Sequence, residues 1–355
     1  MRHDLKGGLG MSLRIDRRLA LGTLAAGLAA PALARTPFVI DGAGRQVPIP
    51  ASVGRVFPAG PPAAILLYTL APDLLIGWPR ANRPEEREFL LPEVGARPEV
   101  GRITGRGNTA NLELVLALRP DLILDSGSTR RTFAELADRV QGQTGIPYAL
   151  LDGRFDAIPG SYITLGQLTG FERRAKLLSD WAEETMKTLL SRTETVPRER
   201  RPRVYYARGP RGLETGLAGS INVETVEFLG AVNVARDGMG GGLAQVSLEQ
   251  VLAWNPEVIV TIDQTFAANV RSDPAWRGVR AVADGRVHLS PKIPFGWVDF
   301  PPSVNRLAGL WWLAKILYPA LVSEDIRTLT RDFHTLFYHV TPTEAQIDRV
   351  LAGRD

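Results

Sequence analysis

"NLELVLALRPDLIL" at residues 111–124 returns as "SLEQVLAWNPEVIV" at residues 247–260, with seven of fourteen positions identical. Each copy opens on a helix-capping type, Asn111 or Ser247, whose side chain can accept from an orphan N–H of the first turn. Leu112, Val115 and Leu116, like Leu248, Val251 and Leu252, then form an apolar stripe at i, i+3, i+4. Pro120 and Pro256 stop the helix, because proline has no N–H to donate and clashes with the preceding turn. "DLIL" and "EVIV" follow as short apolar runs, the form taken by a strand buried on both faces of a parallel sheet. The phrase predicts one helix-to-strand unit in each half of the chain. Stripes and breakers recur in any α/β protein, but they do not account for the shared Glu113 and Glu249.

Between the copies, residues 171–196 contain no Gly or Pro. Ala175, Leu178, Trp181, Ala182, Met186 and Leu189-Leu190 recur at helical spacing, which predicts one long amphipathic helix. "PRERRP" at 197–202 breaks it. Upstream, "FVIDGAGRQVPIP" reads as a hairpin, "GRVFPAG" and "DLLIGWPR" as strand and turn, and "PPAAILLYTL" as a helix opened by proline. A helix at "RRTFAELADRVQGQTG" and a strand at "PYALLD" complete this half. Downstream come strand "RVYYARG", helix "NVETVEFLG", the second copy, a helix near "PAWRGVRAV" and strand "RVHLSP". "SVNRLAGLWWLAKILYP" and "DIRTLTRDFHTLFYHV" read as closing helices. Strands alternating with helices predict parallel sheets covered on both faces. The expected organisation is an α/β lobe at 35–170, a linker helix at 171–196, and a second α/β lobe with closing helices at 197–355.

A chain of 355 residues is long enough for two cores. The net charge of +4 mostly belongs to the first 34 residues, where Arg2, Lys6, Arg14, Arg17 and Arg18 face only Asp4 and Asp16. The remainder is nearly neutral and has no basic run with interleaved aromatics, so nucleic-acid binding is not expected. "RIDRRLALGTLAAGLAAPALA" reads as an export signal over 1–34, with Ala32-Leu33-Ala34 as its cleavage site. Arg17-Arg18-Leu19 resembles a twin-arginine signal, an ordinary Sec leader being the alternative. The chain has no cysteine, which excludes disulfides, thiolate metal sites and lipidation at a mature N-terminal cysteine. A free, monomeric periplasmic protein is the expectation.

In order and spacing, "DGAGRQVPIPASVGRV", the two repeat copies, the unbroken 171–196 helix, "ETVEFLGAVNVA" and "PAWRGVRAVADGRVHLSP" make the chain resemble the periplasmic substrate-binding proteins of ABC importers for ferric siderophores, haem and vitamin B12. The resemblance covers nearly everything after residue 37. It implies two Rossmann-like α/β lobes with mainly parallel sheets joined by one long helix, the class III periplasmic-binding-protein fold. It also implies ligand in the interlobe cleft, limited closure, and delivery to a membrane permease dimer. In that family a glutamate on each lobe docks into arginine pockets of the permease, and the matching positions are Glu113 and Glu249. The plainer alternative is that each glutamate complements its helix dipole.

Loops after the sheet strands should line the cleft. In the first lobe these are 58–62, 77–82, 104–110 and 125–130; in the second, 207–215, 240–245, 263–265 and 292–303. They hold Arg80, Arg106, Arg130, Arg208 and Arg211, whose forks suit carboxylate, phosphate or oxoanion oxygens. Trp78 and Trp297 offer flat apolar contact. Asn108, Ser128, Tyr206, Gln245 and Asp299 complete the candidate ligand set. Tyr205 and Tyr206 alternate along one strand, so one is expected in the core. A helix start at Pro301-Pro302-Ser303 would offer N–H groups to an anion. "RGN" and "GGGLAQ" lack the aromatics expected for a corrin ring. Only His288, His334 and His339 follow the leader, in no paired-histidine motif, so neither a bare metal site nor a cofactor is expected. No nucleophile elbow or phosphate loop suggests an enzyme. The first expectation for the ligand is an anionic ferric siderophore chelate. Molybdate or tungstate is the second, and cobalamin or haem comes after these.

Overall fold

In a computed structural model, which describes residues 37–105, 110–236 and 241–353, both copies of the repeated phrase fold alike. The first forms helix α4 (Leu112–Leu118) and strand β4 (Leu122–Gly127); the second forms α9 (Leu248–Trp254) and β10 (Val258–Thr261). Asn111 and Ser247 cap their helices, accepting from Leu114 N at 2.7 Å and Gln250 N at 3.2 Å. Each helix ends on a left-handed residue, Arg119 at φ 47° or Asn255 at φ 43°. Each buries a single valine, Val115 or Val251. The likeness extends to two arginines the repeat does not contain. Arg55 Nη2 donates to the Leu118 carbonyl at 2.8 Å, and Arg203 Nη2 to the Trp254 carbonyl at 2.6 Å. A guanidinium thus closes each helix where free carbonyls favour a cation.

The repeat supplies, in each sheet, a strand with a parallel neighbour on either side. β4 lies between β3 (Val56–Pro58) and β5 (Tyr148–Asp152). β10 lies between β6 (Arg203–Ala207) and β11 (Val287–Leu289), with β8 (Val232–Asn233) beyond β6. Side chains alternate across each sheet, as strand geometry requires. Phe57, Ile123, Tyr148 and Leu150 form one core with Val115 of α4 and with Ala137 and Val140 of α5 (Arg131–Thr144). Tyr205, Ala207, Ile259 and Val287 form another with Val251 of α9, Phe266 of α10 (Gln264–Asn269) and Ala281 of α11 (Arg280–Ala283). The opposite faces, Val56, Leu122, Leu124, Ala149 and Leu151 of one sheet and Val204, Tyr206, Val258 and Val260 of the other, join a third core shared by both lobes. It is filled by α1 (Pro61–Leu70), α6 (Ile158–Thr169), α8 (Glu224–Phe228) and α12 (Arg306–Leu317).

The linker helix α7 (Glu172–Thr193) is unbroken over 22 residues, a rod of about 33 Å at 1.5 Å per residue. Ala175, Leu178, Ala182, Met186 and Leu189 bury its stripe in the shared core. Arg174 near its start donates to the Thr69 carbonyl at 3.0 Å and the Leu336 carbonyl at 2.7 Å. Arg192 near its end pairs with Glu324 at 2.6 Å. Helices α13 (Ile326–Tyr338) and α14 (Glu344–Leu351) run back to the first lobe: Tyr68 OH donates to the Tyr338 carbonyl at 2.7 Å and Arg349 pairs with Glu88 at 2.6 Å.

Smaller elements are the hairpin β1 (Phe38–Ile40) and β2 (Gln46–Pro48), helices α2 (Pro84–Arg87) and α3 (Pro92–Gly95), and the antiparallel ribbon β7 (Glu214–Gly216) with β9 (Leu243–Gln245). Three expectations need correction. "DLLIGWPR" forms a 3-10 turn and isolated bridges at Leu75 and Trp78 in place of a strand. "DQT" opens α10, because Asp263 caps it by accepting from Phe266 N at 3.0 Å. The helix expected to start at Pro301-Pro302-Ser303 begins at Arg306. Among the described residues no helix is long and apolar enough to cross a membrane.

His334 of α13 is fully buried among Phe89, Phe333 and Tyr338, and neither ring nitrogen has a partner among the described residues. Burial drives its pKa down from the usual 6.5 to about 3. The unfolded chain therefore takes the proton first, and stability falls as pH drops from the ordinary histidine range towards the folded value. His334→Phe should raise Tm at neutral pH by a few degrees, since it removes unsatisfied buried nitrogens. It should also flatten the acid slope of Tm. An unchanged slope in thermal melts across that range would contradict the assignment.

Candidate functional site

The strand ends of both lobes converge on the segment between β11 and α12. At the end of β6, Tyr206 and Arg208 reach Asp299, which is buried at 1% exposure. Asp299 Oδ2 accepts from Tyr206 OH at 3.0 Å and Asn222 Nδ2 at 2.8 Å, and pairs with Arg208 Nη1. Its Oδ1 accepts from Phe300 N at 2.6 Å. A carboxylate out of water needs donors on both oxygens to remain charged. Burial, and then the Asp299 charge, push the Tyr206 hydroxyl well above its ordinary pKa, so it stays a donor. Arg208 Nε lies 3.2 Å from Glu214 without a hydrogen bond among the described residues.

Arg306 opens α12 with no exposed surface. Its Nη2 donates to the Gly153 carbonyl after β5 at 2.9 Å. Its Nη1 donates to Glu224 at 2.7 Å and to the Ile221 carbonyl at 3.2 Å. Glu224 also accepts from Phe155 N at 2.9 Å, and the guanidinium lies 5.3 Å from the Phe155 ring centre. One ion pair therefore ties the first lobe, at Gly153 and Phe155, to the second, at Ile221 and Glu224. Burial lowers the Arg306 pKa against the pull of Glu224, but a guanidinium starts too high to lose its charge.

Beside this clamp lies a narrow recess with room for about one water molecule, lined by Leu66, Ser126, Asp152, Gly153, Ile158 and Ser161 of the first lobe and by Pro302, Ser303, Val304 and Arg306 from across the cleft. Under it Asp125 accepts from Thr104 at 2.9 Å, Tyr148 at 3.0 Å and Ser126 N at 2.9 Å. Burial still outweighs these bonds and raises its pKa. Helix α5 starts just after Ser128 with no side chain bonded to its first-turn N–H groups. By contrast α1 starts with Pro61-Pro62, which have no N–H to offer. A larger depression of about 470 Å³, lined by Arg198, Arg201, Glu227 and Arg236 among others, opens beside β8 and shares no residue with this region. Among the described residues no group of three or more His, Asp or Glu side chains is gathered for a metal ion.

The periplasmic binding protein family matches residues 103–294, more than half of the chain. The chain belongs to that family. Over 258 residues it is 27% identical to the molybdate-binding protein MolA of Haemophilus influenzae, spanning 66% of this chain and 71% of that protein. It is 26% identical over 257 residues to a cobalamin-binding protein of Halobacterium salinarum, spanning 70% and 66%. The solved ABC transporter solute-binding protein of Sulfurospirillum deleyianum superimposes with a TM-score of 0.81 at 27% identity, over 89% of this chain and 99% of that one. Molybdate-bound MolA superimposes at 0.71 over 86% and 99%, with 24% identity. This is a periplasmic solute-binding protein of the ABC-transporter type, and its relatives are binding proteins rather than enzymes. Such proteins hand their solute to a membrane permease.

The expected ligand contacts of this binding protein divide by place. Tyr206, Arg208 and Asp299 come together, with Gln245 opposite Glu214 in the neighbouring ribbon and Ser128 half-buried before α5. Arg106 and Asn108 lie outside the described residues. Trp78 and Trp297 belong to the core instead of a cleft wall, because Trp78 donates to the Val94 carbonyl at 2.8 Å and Trp297 has no exposed surface. Arg80 is taken by Glu86 at 2.7 Å; burial pushes that carboxyl up, but Arg80 and Arg83 outweigh it and hold the pKa below the usual range. Both Tyr205 and Tyr206 are buried, Tyr205 OH donating to the Gly212 carbonyl at 2.7 Å. The sequence reading missed Asn222, Glu224 and Arg306. A charge heading the apolar run "RLAGLWWLA" was the available signal, since buried charge requires a partner.

Arg306→Met should leave the half-buried Glu224 without its counter-charge and cost about 1–3 kcal/mol. Adding Glu224→Gln should recover a good part of the loss. Urea unfolding of the parent, the single and the double variant measures both. A single variant as stable as the parent would remove the clamp.

Proposed function

We propose that this protein captures a small tetrahedral oxoanion of the molybdate or tungstate class between its lobes and delivers it to an ABC permease. The observation that carries the reading is the set of serine hydroxyls, Ser126, Ser161 and Ser303, gathered at one narrow recess between the lobes. The flat aromatic contact expected of Trp78 and Trp297 is not offered to a large chelate, because both are buried. Oxoanion oxygens suit the guanidinium of Arg208, the hydroxyls of Ser126 and Ser128, and the uncapped start of α5. Similarity to a molybdate-binding protein supports the same class. Arg106 and Asn108 remain in the proposed contact set by their place before the first repeat.

Titration calorimetry of the mature chain with molybdate, sulfate and a ferric catecholate tests the reading. Molybdate should bind at micromolar Kd or tighter, and Arg208→Ala should weaken it about tenfold or more. Tight uptake of the ferric complex with no heat from molybdate would overturn it.

Glu113 and Glu249 are the proposed permease-facing carboxylates. Both are exposed at the second position of the matched helices α4 and α9. Hydrogen bonds to its own N–H and to Ser247 lower the Glu249 pKa, so it is ionised at neutral pH. One negative charge per lobe is what a two-fold symmetric permease could grip through charge pairs. Glu113→Lys or Glu249→Lys should impair cellular uptake and leave solute Kd unchanged. An equal loss of solute affinity would contradict the docking role.

A further inference from the structure

The break after the linker helix, "PRERRP" at 197–202, carries more than a helix stop requires. Pro197 and Pro202 suffice for that, since neither has an N–H to donate. Between them stand Arg198, Arg200 and Arg201, on a 3-10 turn and the short approach to β6. Arg198 and Arg201 line the depression of about 470 Å³ beside β8, and Arg236, just beyond β8, lines it too. That volume lies in the range of small-molecule sites, roughly 300–1,000 Å³.

Two of these three guanidiniums are set in place by the backbone. Arg201 Nε donates to the Val196 carbonyl at 3.2 Å, and Arg236 Nε to the Asn233 carbonyl at 3.2 Å. Gly230 makes room for the first: a Cβ there would come within 2.9 Å of Arg201 Nη1, and its φ of 71° suits glycine. Anchoring through Nε leaves the two terminal nitrogens as the end-on fork that matches carboxylate or phosphate oxygens.

Many surface arginines of this chain are matched by a carboxylate. Arg192 pairs with Glu324, Arg280 with Glu257, Arg327 with Glu344 and Arg349 with Glu88. Among the described residues none of Arg198, Arg201 and Arg236 is in an ion pair, although the three share one concavity. The carboxylate that lines it, Glu227 of α8, takes Gly219 N on both oxygens at 3.2 Å. Three cations against one carboxylate leave a local positive potential, which draws anions into a concave surface.

We propose that this depression is a second solute site, for a small anion carrying two or more phosphate or carboxylate groups, held by Arg198, Arg201 and Arg236. Its lining residues all fall between 198 and 236, within the second lobe, and none of them lines the interlobe recess. The two sites therefore load independently. Arg198 and Arg236 are exposed and Arg201 is half-buried, so binding weakens as salt screens the charges.

Titration calorimetry with pyrophosphate and, separately, with citrate tests this in the parent, in Arg198→Gln/Arg236→Gln and in Arg208→Ala, with thermal melts to check folding. The double variant changes two exposed side chains and should melt with the parent. At least one of the two anions should bind the parent saturably, one per chain, and more weakly at higher salt. The double variant should lose about tenfold or more of that affinity, while Arg208→Ala binds as the parent does. Pyrophosphate alone would mark the site for phosphoryl groups, and citrate alone for polycarboxylates. No saturable binding of either anion by the parent, or binding that the double variant keeps, would overturn the second site. Binding lost in Arg208→Ala and kept in the double variant would put the anion in the cleft and overturn it equally. Molybdate titration decides the oxoanion reading separately, and neither result depends on the other.

Discussion

An ion pair between the buried Arg306 and the half-buried Glu224 fixes how the two halves of the molecule meet. Arg306 and Glu224 lie at the floor of the cleft, and each also bonds to the backbone of the first lobe, at Gly153 and Phe155. Desolvating two charges is expensive, so such a pair is weak ground for net stability. What it contributes is geometric. A guanidinium with donors fixed in a plane can satisfy Glu224, Ile221 and Gly153 together only in one relative placement of the lobes. The shared core reinforces that placement, because the inner faces of both sheets pack into the same layer of helices. α7 backs it as an uninterrupted rod with an arginine tied down near each end.

The candidate site inherits this rigidity. The segment carrying Asp299 and Phe300 is held to the second lobe by Tyr206, Arg208 and Asn222 and to the first by Ser303. Pre-organisation of that kind lowers the ordering cost of binding a solute. It also holds α4 and α9, the matched helices that carry Glu113 and Glu249, in place.

Much of this architecture was legible in the sequence because the relevant physics is local. Caps at Asn111 and Ser247, the valine stripe, Pro120 and Pro256, and the break-free run of α7 act over a few residues. The site was less legible. Asp299 and Arg208 could be nominated from their loops, but their pairing joins positions far apart in the chain. Loop position did not reveal that Trp78 and Trp297 point inwards, since that is decided by Val94, Phe295 and the helices that close over them. Arg80 illustrates the same limit: an arginine on a cleft loop is equally suited to a nearby carboxylate, and Glu86 claims it.

The central claim is that the two lobes are held in one arrangement. The chain has no cysteine, so spin labels attach only where they are introduced, for example at Arg139→Cys on α5 and Ala268→Cys on α10. Pulsed electron–electron double resonance on the free protein should give one narrow distance distribution, and saturating solute should move it by no more than a side chain's length. A broad or two-peaked distribution in the free protein, collapsing to one peak on binding, would contradict the account.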